Sequence, residues 1–144
     1  MHHNTNRIGL TLKILTNLVS RKLEEGIRKQ GNPITHMQVH ILCFFNRTER
    51  KAISQREIQK EFGIRGSTAT NMLRLMETNH LITRTPSPDD ARQNIVVITE
   101  TGYQIYLQHQ AFIQEFEQTL QSGLTKEELT QFFAIAEKIK KNLE

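Results

Sequence analysis

The chain of 144 residues contains one cysteine, no tryptophan, three prolines and no long apolar run. The single thiol, Cys43, excludes an intramolecular disulfide and any cysteine-built zinc cluster. No hydrophobic stretch is long enough to cross a bilayer. The start, Met1-His2-His3-Asn4-Thr5-Asn6, lacks the apolar core of a signal peptide. A cytoplasmic protein without membrane contact is therefore expected. Catalytic motifs are lacking as well: there is no phosphate-cradling glycine loop, no Ser-His-Asp ordering and no convincing carboxylate pair. Neither an enzyme nor a cofactor is expected. What remains is 37% hydrophobic and 24% charged residues, the balance of an ordinary globular chain. The net charge is +4, a mild hint of an anionic partner. The basic excess falls in the first 100 residues, and acids outnumber bases beyond them.

Apolar residues recur at helical spacing through Ile8, Leu12, Leu15, Val19, Leu23 and Ile27, which predicts a helix over 7–30 ended by Gly31-Asn32-Pro33. Thr35 reads as the N-cap of a second helix that turns Met37, Ile41, Phe44 and Phe45 inward. Ser54 with Glu57 three residues on forms a capping box and opens a short helix to Phe62. Gly63 permits a sharp turn, and a further helix is expected from about Gly66 to Asn79, with Ala69, Met72, Leu73 and Met76 on its apolar face. Two helices joined by a short glycine turn are the helix-turn-helix signature. Two β-rich runs follow, 81–84 and 95–98, separated by a tip containing Pro86, Pro88, Asp89 and Asp90, so a charged hairpin stands directly behind the helix pair. Two long helices, 100–121 and about 126–142, complete the chain.

This order predicts a mainly α fold with a small β-hairpin wing: a winged helix-turn-helix flanked by long terminal helices. The whole of 1–144 is read as one subunit, with 35–100 as reader of double-stranded DNA and with 7–30 and 101–144 as dimerisation helices. The terminal stripes, Phe112, Phe116, Phe132 and Phe133 above all, exceed what so small a reader covers, and a second copy is the simplest partner. The second helix of the pair suits the major groove. Its outer face offers Ser67, Thr68, Thr70, Asn71 and Arg74, with Gly66 and Arg65 at its start and Ser54, Gln55 and Arg56 at the start of the helix before it. Arg84 lies on the run into the wing. Arg92 at the tip suits the minor groove, with Asp90 two residues away to orient its guanidinium and Asp89 as a turn former.

From Ile34 to Gly102 the chain resembles the MarR family of bacterial transcriptional regulators. The resemblance rests on Thr35 and Gln38, the Ser54–Phe62 helix, Ser67-Thr-Ala-Thr70 and Leu81-Ile-Thr-Arg84. It extends through Asp90, Arg92, Val96, Ile98, Thr99 and Gly102, which fit a wing pattern of Asp-x-Arg, a β-branched run and Leu-Thr-x-x-Gly, with Ile98 in place of the usual Leu. It implies a homodimer with interlocked terminal helices, a roughly palindromic operator, usually repression, and release by a small aromatic or phenolic ligand, a metal or an oxidant. Two departures matter. His80 stands where the family usually has Gly, and Asn79 is expected to take the left-handed conformation in its stead. Arg65 stands where the family often has a capping Ser or Asn, which leaves the helix start open by a residue or two.

Other sensing chemistry is thinly marked. His36 and His40, one turn apart, are metal candidates with His109 and Glu24 or Glu25. The alternative is that they are ordinary polar helix residues. Cys43 lies among apolar neighbours and reads as an inert thiol. Met37, Ile41, Phe44, Phe45 and Tyr106 are candidates to line a ligand pocket if one exists, but plain core is the preferred reading of each. The competing readings are a metal-responsive member of the same family and a winged helix that binds protein; Arg56, Arg65, Arg74, Arg84 and Arg92 favour DNA over the latter.

Overall fold

The computed structural model describes residues 7–31 and 33–144. The expected features at Met1–Asn6 and at Asn32 lie outside the described residues. The elements run α1 (Ile8–Lys29), α2 (His36–Thr48), β1 (Ala52–Ser54), α3 (Gln55–Phe62), α4 (Gly66–Thr78), β2 (Ile82–Pro86), β3 (Asn94–Ile98), α5 (Glu100–Gln121) and α6 (Lys126–Leu143). They form two compact units, one through Phe112 and one from Ile113 to Glu144, with the boundary inside α5. No helix of the described residues is long and apolar enough to cross a membrane.

In the first unit α2 supplies the centre of the core. Ile41, Leu42, Phe44 and Phe45 pack with Ile53, Ile58, Leu73, Met76, Leu81, Ile82, Val96 and Tyr106. The capping boxes at Thr35/Gln38 and Ser54/Glu57 are both formed, so each helix start has its free N–H groups answered. The Glu57 carboxyl is held below its ordinary value, first by the Ser54 backbone N–H and then by the Arg50 side chain. The sheet has three strands, not the expected two: the order is β1-β3-β2, and Ala52–Ser54 pairs antiparallel with 95–97. That leaves β2 on an edge, where Pro86 is tolerated because its missing N–H faces no neighbouring strand.

The turn after α4 also departs from expectation. His80, not Asn79, takes the left-handed conformation, with φ 61° against −86° for Asn79. The hydrogen bonds explain why. His80 N–H donates to Glu77 O and Leu81 N–H to Met76 O, the pair of a Schellman motif, which puts the left-handed residue one place after the helix cap. Arg65 caps α4 with extended backbone but no side-chain hydrogen bond, and the helix begins at Gly66 as expected.

α1 buries only its C-terminal half, through Leu23 and Ile27, while Ile8, Leu12 and Leu15 of the same stripe stay exposed. Gly26 lets α5 come close, since a Cβ there would overlap the Phe112 ring. His109 of α5 is wholly buried, and neither ring nitrogen has a partner. Burial lowers its pKa below the ordinary value of 6.5 by disfavouring the imidazolium. Below about pH 6.5 the unfolded chain takes up a proton that the folded chain resists, so stability falls from there down to the depressed folded value. His109→Leu removes two unanswered polar atoms, and is expected to add about 1 kcal/mol at neutral pH and to flatten this acid loss. Thermal melts between about pH 7 and 5 check both effects. Parallel pH profiles for the two proteins would contradict them.

In the second unit, α6 starts with a Thr125/Glu128 capping box that the sequence reading passed over, and it contains no buried residue at all. Phe132 and Phe133 stack edge to face with centroids 5.3 Å apart, yet they are 55% and 59% exposed.

Candidate nucleic-acid interface

The left-handed Gly63 ends α3 and turns the chain into α4, with Ile64 N–H donating back to Gln59 O. Burial of Ala69, Leu73 and Met76 fixes the roll of α4 and turns Ser67, Thr68, Thr70, Asn71 and Arg74 outward. The Arg74 guanidinium donates to Asn71 Oδ1 at 2.6 Å, so the two long polar side chains of this face are aligned before any ligand arrives. Leu75 joins them at 57% exposure. The sequence reading missed it; the available signal was an apolar residue one turn beyond Asn71 on the polar side of the helix.

Gln55 departs from its expected place as a surface contact. It is buried, and its Nε2 donates to Thr70 Oγ1 at 2.9 Å, which makes it a strut between α3 and α4. Ser54 is likewise occupied: its Oγ accepts from the Glu57 backbone. Gly66 lies against the amide of Gln59. Arg56 and Arg65 are exposed cations near the helix starts.

Arg84 is the second departure. Its side chain is 17% exposed, its guanidinium pairs with Glu77 at 3.3 Å, and its backbone N–H donates to the same carboxylate. It clamps β2 to α4 instead of standing free, because Glu77 on the last turn of α4 faces the start of the strand.

At the wing, Asp90 orients Arg92 as expected and also shapes the turn. Its Oδ1 accepts the Arg92 backbone N–H at 3.0 Å, which shapes the tip, and the Arg92 Nε at 3.3 Å, which directs the side chain. Arg92 is otherwise 90% exposed. Asp89 is a turn residue whose N–H donates to Ser87 Oγ. Ser87 N–H to Gln93 O and Gln93 N–H to Asp90 O close the tip.

The metal candidates do not assemble. His36 meets Glu24 at 3.1 Å and His40 edge to face at 6.2 Å, but His109 is turned into the core. Among the described residues no three His, Cys, Asp or Glu side chains could hold an ion. Burial pushes the Cys43 thiol up, with Arg47 opposing more weakly, so the thiolate is disfavoured. A cavity of about 440 Å³ does exist, but on a different side of α2 from that expected: Phe45 and Tyr106 line it, whereas Met37, Ile41 and Phe44 do not.

Residues 34–93, from the start of α2 to the wing tip, match the sequence model of the MarR family. That stretch is similar in sequence to the MarR family. Solved structures agree over nearly its whole length. It is similar to MepR of S. aureus in a DNA complex (25% identity, TM-score 0.81, covering 94% of this chain and 98% of that one). It is also similar to MarR of Oenococcus oeni PSU-1 (28%, TM-score 0.78, 94% and 99%). A mutant E. coli MarR complexed with operator DNA is similar as well (25%, TM-score 0.76, 92% of each chain). No curated relative matches by sequence. Like these structures, the chain carries a winged helix-turn-helix, made of α3, α4 and the β2–β3 wing.

Proposed function

We propose that this chain is a MarR-family regulator that acts as a homodimer on a palindromic operator, represses transcription there, and lets go when a small aromatic effector binds. The observation that carries the reading is the joint placement of two outward groups: the polar face of α4 and the arginine fixed by Asp90 at the wing tip. The first suits a major groove, where Asn71 can pair with adenine, Arg74 with guanine or phosphate, and Leu75 can meet a thymine methyl. The second suits a narrow minor groove, whose negative potential attracts arginine. Arg56, Arg65, Ser67 and Thr68 are assigned to phosphates. Gln55 and Arg84 are assigned to holding the reader together. Thr70, tied to Gln55, serves both roles.

The pairing of two copies is supported by what each unit leaves uncovered. α6 has no fully buried residue, and α1 leaves Leu10, Ile14 and Leu18 exposed beside its first stripe. Such faces are uncommon on a monomer. The two long terminal segments, 7–30 and 101–144, are assigned to the dimer and 35–100 to the reader. The similar solved structures in complex with DNA support the same partner for this chain.

Arg92→Ala is the direct test. It removes the tip cation without touching the core, and is expected to weaken binding to a selected duplex by about 1–3 kcal/mol while the dimer persists. Fluorescence anisotropy at low salt reads the affinity. An unchanged affinity would remove the wing from the interface.

A further inference from the structure

We propose that Leu75 reads the C5 methyl group of a pyrimidine, so that the chain recognises a methyl rather than a base and accepts 5-methylcytosine in place of thymine. Binding would then rise when a cytosine at that position is methylated. This deepens the DNA-reading role proposed above and rests on it.

Leu75 is the one apolar side chain among the exposed residues of α4; the others all carry hydrogen-bonding groups. It takes no part in the core. Ala69, Leu73 and Met76 fill the inner face of the helix at 0% exposure each, while Leu75 stands more than half exposed. Thr68, Asn71 and Leu75 follow one another at three and four residues, which sets them along one strip of the helix. The groove that takes Asn71 therefore takes Leu75 as well.

The occupant follows from what a major groove offers. Base edges there present hydrogen-bond donors and acceptors, and the C5 methyl of thymine is the one apolar group among them. A leucine pressed on guanine O6, adenine N6 or cytosine N4 strips water from a polar atom and returns no hydrogen bond. Pressed on a methyl, it removes apolar surface from water on both sides. Leucine has no group with which to test the rest of the ring. Thymine presents an acceptor at C4 and cytosine a donor, yet thymine and 5-methylcytosine carry the methyl at the same place, and uracil and cytosine lack it. One helical turn rises about 5.4 Å and one base step about 3.4 Å, so the methyl lies within about two base pairs of the base that Asn71 meets.

The test uses the full chain and a duplex selected from a random pool, with fluorescence anisotropy as the readout. Each thymine is replaced in turn by deoxyuridine, which removes the methyl and nothing else. One thymine in each half-site, within about two base pairs of the position whose preference Asn71→Ala abolishes, is expected to cost about fourfold in affinity, the worth of one buried methyl group. With Leu75→Ala the same replacement is expected to cost less than about twofold. Leu75→Ala removes an exposed side chain and is expected to melt with the parent. It also separates direct contact from altered duplex stiffness, which both proteins would feel alike. At the same position, opposite guanine, 5-methylcytosine is expected to bind about fourfold better than cytosine, again only when Leu75 is present. Indifference to every uracil, an equal loss in Leu75→Ala, or no gain from 5-methylcytosine over cytosine would overturn the proposal and leave DNA reading intact. A chain that ignores every duplex would overturn the function and this proposal together.

Discussion

Phe132→Asp is expected to weaken self-association by at least about a hundredfold, which corresponds to roughly 3 kcal/mol. Phe132 is more than half exposed on a helix that has no fully buried residue. Most helical stability in proteins comes from packing of an apolar face, and a second copy is the partner proposed for this one. Phe133 forms an edge-to-face pair with Phe132, which makes the two rings one bulky knob. In the proposed dimer a carboxylate there would carry a charge into an apolar seam. Because the first unit has its own core, the variant is expected to keep the winged helix folded while the chain sediments as a monomer. A folded dimer at unchanged concentration dependence would show that the interface lies elsewhere.

Gly102→Ala is expected to destabilise the first unit by about 2 kcal/mol, lowering its melting temperature by roughly 5–10 °C. Gly102 is in the first turn of α5, where alanine ordinarily gains about 1 kcal/mol over glycine. Here the gain is outweighed, because the new Cβ would overlap the carbonyl oxygen of Leu81. That oxygen is backbone, and it already accepts the Thr99 N–H at 3.1 Å. Thr99 Oγ1 in turn accepts from Gly102 N–H at 3.0 Å and donates to His80 O. The three residues lock the end of α4, the end of the wing and the start of α5 into one joint, so no member can retreat alone. Gly9→Ala is the control: a Cβ there meets nothing within 4 Å, and the change is expected to be neutral or stabilising. A Gly102→Ala protein as stable as the parent would mean that the joint yields more readily than its hydrogen bonds imply.

The same joint shows where sequence reasoning reached and where it stopped. Thr99 and Gly102 could be matched to a family pattern, but their job emerges only when Leu81 is beside them in space. Periodicity exposed the helices because each carries a long stripe, and the wing was legible because Pro86, Pro88 and the two Asp residues leave few alternatives. β1 was missed because Ala52-Ile53-Ser54 is too short to display alternation, and it becomes a strand only through β3. His80 was misjudged because residue preference favours Asn79, whereas the Schellman bonds fix the position by counting from the helix end. Gln55 and Arg84 look like free polar groups in the sequence. Their partners, Thr70 and Glu77, are 15 and 7 residues away and meet them only after α4 has packed. The cavity was invisible for the same reason: its walls come from α2, β3 and α5, and no local pattern joins them.

The most direct measurement is sedimentation of the purified chain with a duplex selected from a random pool, at low and then raised salt. The account predicts two chains on each duplex, and an affinity that drops by about 10³–10⁵ between 50 and 200 mM salt if 6–10 phosphates are engaged. A chain that remains monomeric and ignores every duplex at low salt would contradict it.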